Sequence, residues 1–400
     1  MNNRHITIPS GFKAAAVACG IKKSGKHDLA IIAADTDASA AIVTTSNQIF
    51  GAPIAWDRQI LPKGYGKIRG MVINAGNSNV CTGKQGFCDA KAMAARTAKH
   101  LGSKPEKVLV ASTGVIGRAM PMANVTAGID SAAPGLNTKS DHRVVEAIST
   151  TDTRYKSAVV QIRLGGKNVT VAGIVKGSGM IAPSLATMIG VITTDAAVAP
   201  ALLYKLLRQA VRTSFNAVTV DSDQSTSDIV AIFASGCAGA KEVKDGTAEC
   251  KKFFAAVQEV CDALAFSIAA DGEGATRVIE ISVTGAHNDK EAQMAAKSVA
   301  DSPLVKTAVH GADPNWGRIA MALGKSAAKV KAEKLIIKIG GTKIFAKGTG
   351  CKCDLKKISE MMKQNVVKID CELGQGKGKF TALTCDLSRE YISINADYTT

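Results

Sequence analysis

Residues 176–196 read KGSGMIAPSLATMIGVITTDA, and this run constrains the chain more than any other. Lys176 is followed by Gly177 and Gly179, which reach backbone conformations closed to other residues. Pro183 then fixes one dihedral and restricts Ala182 before it. The small Ala186 stands directly before Thr187, and an apolar stretch from Met188 to Ile192 leads into Thr193, Thr194 and Asp195. Flexible and then stiffened backbone before an Ala–Thr bond is what an autocatalytic cleavage site needs. The threonine hydroxyl has to swing onto the preceding carbonyl, which a planar trans peptide disfavours. Breaking the 186–187 bond would leave Thr187 with a hydroxyl nucleophile and a free α-amine. That amine, with an unperturbed pKa near ~8, can act as base for its own hydroxyl. The competing reading of Thr187 is a helix N-cap ahead of Met188–Ile192, a common place for threonine.

The rest of the chain mixes two periodicities. Short β-branched runs bounded by glycine or polar residues read as strands at 40–46, 70–76, 108–113, 169–175 and 278–286. Apolar residues at three-and-four spacing read as helices at 88–102, 200–215, 250–271 and 290–300. This mixture argues for an α/β (α+β) fold rather than a bundle or sandwich. Gly285 to Asp289 is a candidate break, with a lysine-rich lobe beyond it.

A net charge of +16 raises the question of nucleic acid. The lysines between residues 325 and 379 alternate with apolar residues, as on solvated strand and helix faces, and aromatic residues for base stacking make up only 4% of the chain. A nucleic-acid partner is therefore not expected. The ten cysteines show no C-x-x-C pair, and the histidines no metal-binding spacing. Cys351 and Cys353 come nearest to a metal motif, but reduced thiols are the better reading, and no metal is expected. No apolar stretch reads as a membrane span and no signal pattern opens the chain, so a cytoplasmic location is expected.

Several further segments stand out: INAGNSNVCTGKQG (73–86), STGVIGR (112–118), TTDTRYK (150–156), SFNAVTVDSDQSTSD (214–228), DGEGATR (271–277), SPLVKTAVHGADPNWGRI (302–319) and INADYTT (394–400). Together with 176–196 they resemble, in order and across nearly the whole chain, the landmarks of the ornithine acetyltransferase, or glutamate N-acetyltransferase, family of arginine biosynthesis. Ser184 and Leu185 depart from the asparagine and methionine of the family pattern.

The resemblance implies a layered αββα core of the N-terminal-nucleophile type with a smaller C-terminal α/β lobe. The implied division is 1–186, an α fragment ending at the cleavage site; 187–286, the part of the β fragment that completes the core; and 287–400, a lobe with a substrate-contacting tail. Cleavage between Ala186 and Thr187 would make Thr187 the catalytic nucleophile. Thr113 and Gly114 resemble the family's oxyanion pair, a hydroxyl and a backbone N–H converging on a tetrahedral intermediate. Thr153, Lys176, Thr187, Glu273, Asn395 and Thr400 are the implied substrate-binding residues. Lys176 would pair with a carboxylate and Glu273 with a substrate ammonium. The bland readings are a strand-to-turn exit at Gly114, a surface lysine at 176 and a solvated acid at 273. Asp313 to Arg318 reads as a structural turn with a packed indole, and the loop at 77–83 lacks a P-loop lysine.

The activity so implied moves acetyl from N-acetylornithine to glutamate through an acetyl-Thr187 intermediate, without a cofactor, acetyl-CoA being a candidate co-substrate. The positive field suits anionic acetyl donors. The two fragments would assemble as a heterotetramer of two each. The alternatives are an N-terminal-nucleophile aminopeptidase or amidase, with water as acceptor, and a basic binding protein that does not cleave itself.

Overall fold

The computed structural model describes residues 5–139, 142–182 and 188–397. Ala186, Thr187 and Thr400 therefore lie outside the described residues. The first part of the chain runs β1 (Phe12–Val17), β2 (Leu29–Thr44), α1 (Ala52–Ile60), β3 (Tyr65–Asn77), α2 (Gly83–His100), β4 (Val108–Val115), α3 (Met122–Ala132), α4 (His142–Ile148), β5 (Lys156–Leu164) and β6 (Lys167–Lys176). It continues through β7 (Ile189–Thr194), α5 (Pro200–Thr213), β8 (Ile229–Ala234) and α6 (Ala248–Ala270). The remainder forms β9 (Val278–Ala286), α7 (Asp289–Ala300), α8 (Pro303–His310), α9 (Trp316–Gly324), β10 (Ile336–Ile339), β11 (Thr342–Ala346), β12 (Thr349–Gly350), α10 (Leu355–Met362), β13 (Val366–Glu372), β14 (Gly378–Cys385) and α11 (Arg389–Asp397).

Among the described residues, β1 to β8 form one sheet in the order β4-β3-β2-β8-β7-β6-β5, with β1 also on β2. The long β2 joins its two halves. Leu29 to Ala33 pair with β3, the register shifts between Ala33 and Ala38, and Ser39 to Thr44 pair with β8. Bulges of this kind bend a strand and increase its twist. Alternation along the strands then sorts the side chains into three clusters. Ile32, Met71, Leu109, Ile174, Val191 and Phe233 meet in one core between the two halves. Ile31, Val72 and Val110 face outward onto Met93 of α2 and Ile129 of α3. Val171, Ile192 and Ile232 face outward on the other side, onto Leu207 of α5 and Leu264 of α6. Helices, two sheet halves and helices thus stack as four layers.

The lobe is a second sheet, order β12-β11-β10-β13-β9-β14, covered by α7 to α10 around Ile281, Val299, Ile337 and Ile369. β9 ends at residue 286, yet it pairs parallel with β13 and antiparallel with β14 within this second sheet.

Two local expectations change. Met188 to Ile192 does not follow a helix cap: β7 is held between β6 and β8 with both faces buried, so the apolar run is a strand. α6 is long and apolar enough to cross a membrane by length and composition, contrary to the sequence expectation. Its apolar side chains Phe253, Val257, Val260 and Leu264 pack into the core with α5 and the outer sheet face, which is where that hydrophobicity comes from.

Candidate active site

β3 and β4 run parallel and end together, with an irregularity at Gly76 and Asn77. Gly114 adopts φ +121, and a Cβ there would stand 2.5 Å from the Gly76 carbonyl carbon. Only glycine fits this close backbone approach, which places Thr113 and Gly114 at the mouth of the sheet. β6 leaves the other half at Lys176, opposite Ile189 at the start of β7. The two strand ends meet where Lys176 Nζ donates to Thr113 Oγ1 at 3.2 Å. Lys176 is buried, not a surface lysine. Burial lowers its pKa, opposed by the nearby Asp152, Asp228 and Glu273 carboxylates.

A buried ion cluster supports this lysine from below. Asp152 accepts from Lys156 Nζ at 2.6 Å and from the Gly177 N–H at 2.7 Å. Lys156 also pairs with Asp271. Burial works to raise the Asp152 pKa, but Lys176, Lys156 and the Gly177 N–H hold it below the usual carboxylate value. Thr153 belongs to this cluster: its N–H donates to Asp271 Oδ2 at 3.1 Å and its hydroxyl donates to the same carboxylate.

Glu273 reaches the site from the turn after α6. Its N–H donates to the Ser178 carbonyl at 2.9 Å, and a Cβ on Gly179 would collide with its carboxylate at 2.3 Å. The glycines after Lys176 thus admit the acid. α11 docks over it through the Ser388 hydroxyl, which donates to the Gly274 carbonyl at 2.6 Å, and Asn395 Nδ2, which donates to Glu273 Oε2 at 2.8 Å.

The segment at 219–228 anchors both flanks of the 183–187 stretch. On one side Met180 N–H and Ile181 N–H donate to Asp221 at 2.6 and 2.8 Å. On the other, the Met188 N–H donates to Asp228 Oδ1 at 2.8 Å. Burial raises the Asp221 pKa to about 6 against those three backbone donors, the Asp223 N–H being the third. Burial likewise pushes Asp228 well above the ordinary carboxylate range.

These elements enclose a cavity of about 430 Å³. Thr113, Gly114, Lys176, Glu273 and Asn395 all line it, whereas Thr153 stands beside it, bound to Asp271. Sequence reasoning assigned no role to Ser78, Asp221, Ser225, Ser227 and Tyr391, which also line it. For Asp221, Ser225 and Ser227 the signal was the cluster of serines and aspartates in DSDQSTSD (221–228) amid apolar sequence; Ser78 and Tyr391 carried no such local signal. Asp313 to Arg318 lies in the lobe, where Asn315 caps α9 and Trp316 packs on Phe345 with ring centroids 4.9 Å apart.

A model of the ArgJ family matches residues 13–400. A protein of Dehalococcoides mccartyi, "Arginine biosynthesis bifunctional protein ArgJ", is 44% identical over 397 residues, spanning 99% of this chain and 97% of that protein. A relative of the same name from Chlorobium chlorochromatii is 46% identical over 390 residues, spanning 98% and 90%. The crystal structure of an arginine biosynthesis bifunctional protein from Bacillus halodurans is 40% identical, with a TM-score of 0.50. The match covers 52% of this chain and 97% of that one.

Proposed function

The chain belongs to the ArgJ family, and from that premise we propose how its residues carry out the reaction. It is an acetyltransferase of arginine biosynthesis that moves acetyl from N-acetylornithine to glutamate. The observation that carries the residue-level reading is the one cavity lined by Thr113, Gly114, Lys176, Glu273 and Asn395, beside the two anchored flanks of 183–187.

The proposed sequence begins with self-cleavage at Ala186–Thr187. Thr187 Oγ then attacks the acetyl carbonyl of N-acetylornithine. The C–O ester bond forms, the amide C–N bond breaks, and the hydroxyl proton passes by way of the Thr187 α-amine to the departing ornithine nitrogen. Glutamate's amine attacks the ester, and the reverse proton path regenerates Thr187. In each tetrahedral intermediate the oxyanion faces the Thr113 hydroxyl and the Gly114 N–H. Glu273, oriented by Asn395, faces a substrate ammonium, and the remaining N–H bonds of Lys176 face a carboxylate. Thr153 serves this site from the side through Asp271, and Thr400 from the tail.

The reading extends to a two-fragment enzyme, two copies of each fragment, in the cytoplasm. The Bacillus halodurans chain supports fragments: nearly all of it is matched by about half of this one. The hydrolase alternative is not favoured, because the full-length relatives are arginine-biosynthetic proteins. No organic cofactor or metal enters the proposed exchange.

The test is product analysis with N-acetylornithine, with and without glutamate. N-acetylglutamate should form in equal amount to ornithine, and double-reciprocal plots at several glutamate concentrations should be parallel. Intersecting lines without an acetylated Thr187 peptide after quenching would replace the covalent route by direct transfer.

A further inference from the structure

A second cavity, of about 560 Å³, backs onto the first. Thr150 lines both, and the wall between them is the shared end of β3 and β4, with Gly76 and Val115 on the far side from Ser78 and Thr113. Four cations line this second cavity: Lys22, Lys23, Lys26 and Arg118. Lys22 is fixed, its Nζ donating to the carbonyls of His27 and Glu146 at 2.7 and 3.0 Å, and burial lowers its pKa to about 8. Lys23, Lys26 and Arg118 are exposed, and among the described residues none of the three has a carboxylate partner. The backbone of Arg118 is held, its carbonyl accepting from Asn77 Nδ2 at 3.2 Å, while among the described residues its exposed guanidinium has no hydrogen-bond or ion-pair partner.

The two acids in this wall are already occupied. Glu146 is paired with His27, and Asp152 with Lys156 and the Gly177 N–H. At the same cavity Tyr155 is 58% exposed, its hydroxyl reaching Glu146 Oε1 at 3.5 Å. An exposed ring in a chain with so few aromatics, next to three unpaired cations, is not explained by N-acetylornithine or glutamate. Each is small enough for the first cavity and carries only one or two carboxylates. The chemistry fits a ligand with several phosphate oxygens, an aromatic base and an arm long enough to cross Thr150. Arginine and lysine bind phosphate by charge-assisted hydrogen bonds, and a base stacks on an exposed aromatic face.

We propose that the Lys22–Lys23–Lys26–Arg118 cavity holds the phosphorylated nucleotide end of acetyl-CoA, with its acyl arm passing Thr150 to place the thioester at Thr113 and Gly114. The proposal rests on the acetyltransferase reading above and deepens it by giving the second acetyl donor its own site. Thr187 Oγ attacks the thioester carbonyl, the C–O bond forms and the C–S bond breaks, and the hydroxyl proton leaves with the sulfur as the CoA thiol. The resulting acetyl-Thr187 is the same intermediate, and glutamate consumes it in the same way. The two donors thus enter from different sides and share the oxyanion site.

The experiment uses the full-length enzyme and a Lys23→Ala/Lys26→Ala/Arg118→Ala variant. CoA binding is measured by calorimetry, with dephospho-CoA as a second probe, and initial rates are measured with each donor. Wild type should bind CoA more tightly than dephospho-CoA. The variant should bind CoA at least about 10-fold more weakly, with KM for acetyl-CoA raised in proportion. Its kcat and KM for N-acetylornithine should stay unchanged, which also shows that it folds. Absence of CoA binding by wild type, equal binding by the variant, or no N-acetylglutamate from acetyl-CoA overturns the proposal. An equal loss with both donors in the variant overturns it as well. Continued turnover of N-acetylornithine separates these outcomes from failure of the acetyltransferase reading, in which neither donor is used.

Discussion

The buried Lys176 ammonium donates to Thr113 Oγ1 across 3.2 Å, and this sets where the threonine's own proton can go. A lysine ammonium has only donors, so Thr113 must be the acceptor in this bond. Its O–H is then left to donate into the cavity that both residues line. The pair ties β4 of one sheet half to β6 of the other, so the geometry of the oxyanion donor depends on a contact that spans the core.

Thr113→Ala should therefore lower kcat on the order of 100- to 1000-fold, the usual loss for one oxyanion donor, with a much smaller change in KM. Thr113→Ser keeps the hydroxyl and should recover most of the rate. Steady-state kinetics with N-acetylornithine check both, and an unchanged kcat in the alanine variant removes Thr113 from the oxyanion role.

Self-processing gives a second expectation. The expressed chain should separate into fragments of 186 and 214 residues, the latter being 400 minus 186. Thr187→Ala should remain one chain, since no hydroxyl is present to attack the Ala186 carbonyl. Intact mass spectrometry reads this directly, and a wild-type chain still whole after long incubation counts against autocatalysis.

What the sequence disclosed and what it hid divide along a physical line. VTVAGIV was readable as β6 because its branched residues and flanking glycine are local signals. The strand read at 40–46 covers only the C-terminal part of β2; its N-terminal half, Leu29 to Ala34, is set apart by the exposed Asp35, Thr36 and Asp37, where the pairing with β3 shifts register. MIGVITT is too short for periodicity to separate helix from strand, and β6 and β8 decide the matter. At the site, Thr113, Lys176 and Glu273 were named through family resemblance. The roles of Asp221 and Asp228 were not legible, because they receive the N–H groups of residues 180, 181 and 188, about forty positions away, and only the folded chain creates those pairs.

Removing the cation beneath the site should unfold the protein more readily. Lys156→Met leaves Asp152 and Asp271 buried without their shared partner. Breaking a buried pair from one side costs about 3–5 kcal/mol. The expected result is a clear fall in the urea midpoint at pH 7, and a midpoint within error of wild type would show that the cluster contributes little.

Asp221 should give the fold a pH dependence of definite sign. Its pKa rises from 3.8 to about 6 on folding, so the folded state holds the extra proton between those values. This contribution to stability is full below pH 4 and is lost as pH rises through 6, amounting to on the order of 3 kcal/mol. Asp221→Asn cannot titrate. The stability of wild type relative to the variant should therefore decline between pH 4 and pH 7, whatever fixed cost the lost backbone acceptor imposes at every pH. Paired denaturation curves at the two pH values check the difference, and a pH-independent gap refutes it.

The last prediction concerns the tail. Asn395 Nδ2 holds Glu273 Oε2 at 2.8 Å and also donates to the Tyr391 carbonyl at 3.0 Å, so the acid is oriented by a helix that lies within the final residues of the chain. A carboxylate held by one amide points its other oxygen in a defined direction, and that orientation serves binding of an ammonium before any chemistry starts. Asn395→Ala should therefore raise KM for N-acetylornithine more than it lowers kcat, and Glu273→Gln should do so more strongly, because it removes the charge itself. Deleting residues 395–400 should reproduce the Asn395→Ala effect and add whatever Thr400 contributes. The discriminating measurement is the double variant. If Asn395 acts only through Glu273, Asn395→Ala on top of Glu273→Gln should cost almost nothing further. Fully additive losses would instead place Asn395 on the substrate independently of the acid.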